Sequence, residues 1–303
     1  SSDLSSHHEL WHDHLVGSGR FRKSDQTFFT GQGQSMKVSV VQSEPKLLDK
    51  QHNLQLHSDL INSLETDLLV LPELCTSGYV FESEKQLLSI AEEAGTGESF
   101  AFFTALAERK NCSIVFGFPE LESTSNAKPR IFNSSALINP DGSWKVYRKT
   151  HLFNREKLFF SPGDTGFFVC EAKNKVKIGM MVCFDWQFPE SARSLALQGA
   201  QLICHPSNLV LPWCQQAMKT RSLENRVFSI TANRTGTEGE DQNRLTFTGA
   251  SQILGTRGEL LASLSITEPG VATVEINPEL AENKEVTPLN NAFADRRPKL
   301  YVL

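Results

Sequence analysis

Three residues stand at or just past the ends of predicted strands, and their types can work together. Glu73 lies in "LVLPELCTSGY", Lys149 in "VYRKTHLF" and Cys183 in "KIGMMVCFDWQFPESAR". Each follows a predicted strand, and in layered α/β proteins sites gather at strand ends. A thiol attacks a carbonyl or nitrile carbon as thiolate, so a nucleophilic Cys183 should be more acidic than the other cysteines. A carboxylate whose pKa is raised by burial can take the thiol proton and later hand it to a leaving amine. A lysine ammonium beside them stabilises both the thiolate and a developing oxyanion. A strand-to-helix turn exposes the nucleophile and aims backbone N–H groups at the reaction centre. Taken singly, each residue has a plainer reading: Glu73 a cap, Lys149 a surface charge, Cys183 a small core hydrophobe.

The neighbouring residues offer rivals and supports. His151 and His205 raise the alternative of a cysteine–histidine pair. His151 follows Lys149 by two residues, so in a strand both point the same way; both histidines are read as structural or pocket-lining. Asp185 reads as a turn-fixing acceptor of backbone N–H groups. Glu224 and Arg226 in "LENR" read as a helix-end ion pair or turn anchor, and Cys204 and Cys214 as filler. Tyr79, Trp186, Asn208 and Trp213 are candidate pocket walls. The stretch "TGTEGEDQNRLTFTG" reads as a solvated connection, with a mobile flap as the alternative.

The elements that must position these groups alternate in type. "MKVSVVQ" is a predicted strand. Residues 46–64 carry Leu47, Leu54, Leu56, Leu60, Ile61 and Leu64 at helical spacing. "DLLVLPE" reads as a buried strand, "TGESFAFFTALAERKN" as a helix with Phe100, Phe103, Leu106 and Ala107 on one face, and "CSIVFGF" as a strand. "RIFNSSALINPDGSWKVYRK" is a hairpin turning at "NPDG". "KVKIGMMVC" leads into the helix "FPESARSLALQG", with Pro189 in its first turn, Glu190 near its positive end and Gly199 as its stop. "QLICHPS" is a strand, "WCQQAMKTRSLENR" a helix, and "VFSITANR", "LTFTGASQILG" and "VATVEI" are strands. Such alternation predicts an α/β domain with helices outside the sheets. Many short strands fit two stacked sheets better than one open sheet. The tail "NNAFADRRPKLYVL" is expected to pack on a neighbouring subunit.

Bulk properties bound the reading. The chain has 303 residues, 39% hydrophobic and 21% charged, with a net charge of -5 spread along its length. Clustered Lys and Arg, the footprint of nucleic-acid binding, are absent. No apolar run approaches the roughly 18 residues of a membrane span. The six cysteines form no CxxC pair, so a reduced, cytoplasmic protein without structural disulfides is expected. Residues 1–35 are polar, Gly/Ser-dotted and hold His7, His8, His12 and His14. Those histidines could bind metal, but the segment reads as a leader set apart from the fold, lacking the apolar core of a secretory signal. Residues 36–303 then form a single domain, with no linker inside it.

At this point a resemblance emerges. "LPELCTSGY", "YRKTHLF…REKLFFSPGD", "VCFDWQFPESAR…GAQLICHPSN" and "RSLENRVFSITANRTG" resemble, in order and spacing, the nitrilase superfamily of carbon–nitrogen hydrolases, from about Met36 to the C-terminus. The likeness is to the branch with "CFDW" at the nucleophile, which includes archaeal nitrilase-like enzymes. It implies a four-layer α-β-β-α sandwich and a Glu–Lys–Cys triad: Glu73 as general base, Lys149 as oxyanion-stabilising lysine and Cys183 as nucleophile. Glu156 in "NREKLFF" matches a second pocket glutamate, and Phe184 would supply its backbone N–H to the oxyanion. The resemblance implies a homodimer or higher homo-oligomer and chemistry without metal or organic cofactor. The expected activity is hydrolysis of a small amide to acid and ammonia through a cysteine thioester, with small nitriles or N-carbamoyl amines as alternative substrates. A reading of another class is an inert binding protein on the same scaffold; the retention of Glu73, Lys149, Cys183 and Glu156 argues against it.

Overall fold

Runs such as Leu68–Val70 and Leu202–Pro206 are buried along their whole length. Strands of that kind need cover on both faces. The computed structural model describes residues 34–123 and 128–301. The expected leader, with its four histidines, therefore lies outside the described residues apart from Gln34 and Ser35. In chain order the strands are β1 (Met36–Gln42), β2 (Leu68–Val70), β3 (Ser113–Glu122), β4 (Arg130–Ile138), β5 (Trp144–Arg148), β6 (Val169–Glu171), β7 (Lys177–Met180) and β8 (Leu202–Pro206). They continue as β9 (Phe228–Ala232), β10 (Thr237–Glu238), β11 (Leu245–Thr246), β12 (Gln252–Leu254), β13 (Leu260–Ser263), β14 (Gly270–Ile276), β15 (Glu285–Thr287) and β16 (Asn290–Asn291). The helices are α1 (Lys50–Ile61), α2 (Glu84–Ile90), α3 (Glu98–Lys110), α4 (Pro189–Leu197) and α5 (Cys214–Asn225).

Two six-stranded sheets carry the fold, in the orders β14-β1-β2-β3-β4-β5 and β13-β12-β9-β8-β7-β6. Each has a parallel trio at its centre, β1-β2-β3 and β7-β8-β9, flanked by antiparallel strands. The inner faces share one core: Val38, Val40, Val70, Val115 and Leu137 of the first sheet meet Met180, Leu202, Cys204 and Ile230 of the second. Helices α1 and α3 cover the first sheet outside, where Phe100 and Phe103 pack on Phe116 and Phe118. Burying an aromatic of this size contributes roughly 1.5–3 kcal/mol, so α3 is held chiefly by this face. Helices α4 and α5 cover the second sheet, with Leu195 seated directly over Gly179. The result is the expected α-β-β-α sandwich.

Local chemistry explains the boundaries. Helix α1 starts later than its apolar pattern because Leu48 takes a left-handed φ of 60° and Asp49 caps the helix by accepting the His52 N–H. Helix α3 starts after Gly97, which has no side chain to cap it; Glu92 accepts the Ser99 N–H instead. Helix α4 begins at Pro189 and stops before Gly199, as expected. The run "LTFTGASQILG", expected as one strand, splits into β11 and β12. Gly249 and Ala250 turn left-handed between them, and a Cβ on Gly249 would lie 2.4 Å from the Ile266 carbonyl oxygen. Among the described residues no helix is long and apolar enough to cross a membrane.

Candidate active site

The three strand ends converge. Glu73 follows β2, and its backbone is clamped to β3: Gly117 donates its N–H to the Pro72 carbonyl, and Cys75 donates to the Gly117 carbonyl. A Cβ at Gly117 would sit 2.6 Å from the Glu73 Cα, so only glycine lets β3 pass this close. Lys149 follows β5, and its carbonyl accepts the Gly163 N–H at 2.9 Å. Cys183 follows β7 with φ of 42°, a left-handed conformation costly for a residue with a Cβ. His205 at the end of β8 donates from Nε2 to the Cys183 carbonyl at 2.8 Å and braces that turn.

The polar groups form one buried cluster. Lys149 Nζ donates to Glu73 Oε1 and to Glu156 Oε1, each at 2.7 Å. Asn133 Nδ2, from the middle of β4, donates to the same Glu73 oxygen at 2.7 Å. Tyr79 OH donates to Glu156 Oε1 at 2.6 Å, and the Phe153 N–H to Glu156 Oε2 at 3.1 Å. Glu73 Oε2 is buried without a partner. Cys183 Sγ donates to the Asn208 carbonyl at 3.7 Å, while both side-chain amide atoms of Asn208 are buried and unpartnered.

Burial sets the protonation states. It pushes the Glu73 carboxyl up, Glu156 adds to this, and the opposing pull of Lys149 and Asn133 does not cancel it. Burial alone would favour a neutral Lys149, but Glu156 and Glu73 more than offset it and hold the ammonium charged. The Cys183 thiol is pushed well above its ordinary value by burial and then by Glu73, against the pull of Lys149. The direction is opposite to the expected acidic thiol: burial in this site favours the protonated form of Cys183.

The supporting residues sort clearly. Asp185 accepts the Val182 and His151 N–H groups, the Tyr147 hydroxyl and the His151 ring, so it fixes the turn as expected. His151 stacks on Phe188 at 3.7 Å between centroids and is held by Asp185. His205, lowered to about 4 by burial, is neutral and structural. Cys204 and Cys214 are core filler. Glu224 pairs with Arg221 rather than with Arg226, which forms the left-handed cap of α5.

Beside Glu156 lies a cavity of about 80 Å³. Tyr79, Phe153 and Glu156 line it together with Gln242, Asn243 and Leu245. Trp186 is instead a buried core residue, while Asn208 sits beside Cys183, its backbone carbonyl accepting from the thiol. Trp213, expected as a pocket wall, is 60% exposed at the start of α5, whose buried positions are Cys214, Met218, Ser222 and Asn225. The stretch expected as a solvated connection is a hairpin of β10 and β11 that lines the cavity. Asn133 and Glu238 were not singled out from the sequence. Among the described residues no three His, Cys, Asp or Glu side chains gather where they could hold a metal ion.

The family described as carbon-nitrogen hydrolase matches residues 37–284. This chain therefore belongs to that family, a group of hydrolases within the nitrilase superfamily. A nitrilase from Pyrococcus abyssi is 41% identical over 269 residues, covering 88% of this chain and 99% of that one. A crystal structure of a carbon-nitrogen hydrolase from Helicobacter pylori G27 superposes with a TM-score of 0.77 at 28% identity, covering 88% and 97% of the two chains. A mutant of the amidase from Nesterenkonia sp. AN1, solved with the acetamide moiety of fluoroacetamide added covalently at its active-site cysteine, matches with a TM-score of 0.70 at 25% identity, over 89% and 97%.

Proposed function

We propose that this enzyme hydrolyses a small linear amide to the acid and ammonia through a thioester on Cys183. The observation that carries the reading is the unpartnered Glu73 Oε2, in a carboxyl raised by burial and tied by its other oxygen to Lys149 and Asn133. One oxygen is fixed, and the other is left to accept a proton. Glu73 takes the Cys183 proton as the sulfur attacks the amide carbon. Negative charge develops on the amide oxygen beside the Lys149 ammonium, with the Phe184 N–H, a first-turn donor of the one-turn helix Cys183–Gln187, as its second stabiliser. Glu73 returns the proton to the leaving nitrogen, the carbon–nitrogen bond breaks, and ammonia departs. Water, deprotonated by Glu73, then attacks the thioester, releasing acid and regenerating the thiol. Glu156 orients Lys149, Tyr79 borders the substrate, and the unpaired amide of Asn208 is a further substrate contact. The steps close without metal or organic cofactor.

A second reading, hydrolysis of small aliphatic nitriles by the same groups, is favoured by the 41% identity to a nitrilase. The protein is further read as a cytoplasmic homodimer or higher homo-oligomer, with residues 36–303 as a single catalytic domain. Exposed Leu197, Trp213 and Leu223 on and beside α4 and α5 support a face for self-association. Ammonia release from small amides, aliphatic and aromatic nitriles and N-carbamoyl amines, measured beside Cys183→Ala, tests the activity. Release from amides that vanishes in the variant is expected. Release confined to nitriles or carbamoyl amines replaces the amide reading. An inert scaffold releases none from any class.

A further inference from the structure

Another buried ion pair holds the segment that carries Tyr79, outside the groups assigned above. Arg234, at the end of β9, is 1% exposed and donates from Nη1 to Glu238 Oε2 at 2.7 Å. Its Nη2 donates to the Pro45 carbonyl, and its guanidinium lies 4.1 Å over the Phe247 ring. The other Glu238 oxygen accepts two backbone N–H groups, from Tyr79 at 2.6 Å and Val80 at 2.5 Å. Tyr79 is the residue whose hydroxyl donates to Glu156 Oε1, the oxygen that also holds Lys149. Glu238 itself sits in β10, in the hairpin whose tip brings Gln242 and Asn243 to the cavity wall.

A carboxylate gripping two consecutive backbone amides fixes a chain segment far more tightly than a packing contact, and charge-assisted bonds of this length are the strong ones. Tyr79 follows Gly78, which has φ of +80° and no room for a Cβ against Leu47. The backbone carrying Tyr79 is thus set from both sides. We propose that Glu238, held in place by Arg234, is a positioning residue for the reaction, fixing Tyr79 so that its hydroxyl shares Glu156 with Lys149. The inference rests on the assignment of Lys149 and Glu156 to the reacting cluster.

The titratable groups facing Glu73 are Lys149, Glu156, Tyr79 and Cys183. When Tyr79 lets go of Glu156, the freed Oε1 binds Lys149 more closely and draws the ammonium from Glu73, which then faces the Glu156 carboxylate with less compensation. Proton removal from Cys183 by Glu73 then requires a higher pH.

The experiment compares wild type, Glu238→Gln, Tyr79→Phe and the double variant. The first readout is the pH profile of Cys183 alkylation by iodoacetamide, followed by peptide mass, with the other cysteines as internal references. Glu238→Gln and Tyr79→Phe should each move the profile to higher pH by about 0.5 unit or more, and the double variant no further than the larger single shift. Loss of turnover on ammonia release should fall on kcat rather than KM. Glu238→Asp, which keeps the charge but is too short to hold both amides, guards against misfolding: it should show the same displaced profile with wild-type circular dichroism and a single cooperative melting transition. An unmoved profile in the single variants, or shifts that add in the double variant, overturns the inference. Absent turnover with shifts as expected faults the amide reading alone.

Discussion

Arg148 and Lys149 are neighbours in sequence, each surrounded by carboxylates, yet the two clusters are built in opposite ways. Arg148 meets Glu120, Glu122 and Asp164 and lies 3.9 Å over the Phe132 ring. It bonds Glu120 through both Nε and Nη2. Burial works to raise the Glu122 and Asp164 carboxyls, but bonds from Arg130 and Arg148 outweigh it and hold both below their ordinary values. Lys149 sits in full burial between Glu73 and Glu156, and there one carboxyl ends raised, with an oxygen left unpartnered. A lysine's single ammonium cannot saturate two carboxylates as a guanidinium fork can. The Arg148 cluster is satisfied and serves stability; the fully buried Lys149 cluster is left short of a bond, as the proposed proton transfer requires.

The largest effect that separates them is on turnover. Cys183→Ala and Glu73→Gln should each lose about 10³-fold or more in kcat while circular dichroism stays that of wild type. Arg148→Met should leave ammonia release within about threefold of wild type. Appreciable turnover in Glu73→Gln would break the contrast at its root.

Stability should divide them next. Lys149→Met strands two carboxylates in the interior and should lower urea stability by about 3–5 kcal/mol. Glu73→Gln should not lower it. A carboxyl raised in the folded state lends stability only at low pH and loses it as pH rises through the folded value, so at neutral pH a neutral amide removes a penalty. The Arg148 carboxyls have the reverse sign: their stability is present above the ordinary carboxylate range and is lost as pH falls through their lowered values.

Two buried histidines sharpen the comparison from outside it. His57, bonded to Ser43, and His205 behind Cys183 are both lowered to about 4 by burial. A lowered histidine stabilises fully above its unfolded value of 6.5 and loses that stability as pH falls toward about 4. Stability should drop across this window by on the order of 3 kcal/mol per histidine at most, and the melting temperature with it. His57→Gln should flatten the slope and leave turnover intact. The smallest effect is that of Arg148→Met on stability, about 1–2 kcal/mol by urea unfolding.

Much of this arrangement could be read before the fold was known. Glu73, Lys149 and Cys183 each stand at or just past a predicted strand end, which marked them as candidates, but their roles came from the resemblance. Glu156 came from resemblance alone; no periodicity marks it, because it sits in a single turn at Asn154–Leu158. Asn133 escaped because its contact with Glu73 depends on β4 pairing with β3, a register set between residues far apart in sequence. Glu238 escaped for the same reason: it lies 159 residues from Tyr79 in a loop whose Gly and acidic residues look solvated. Trp213 misled in the other direction. An aromatic near a helix start resembles a pocket wall until the helix's buried face is fixed, and here Cys214 and Met218 take that face.

The most direct measurement is rapid acid quench of the enzyme turning over a small amide, followed by peptide mass spectrometry. The account predicts an acyl group on the peptide containing Cys183, formed in wild type and absent from Cys183→Ala. Steady turnover of that amide by Cys183→Ala, or an acyl group found only on another residue, would contradict it.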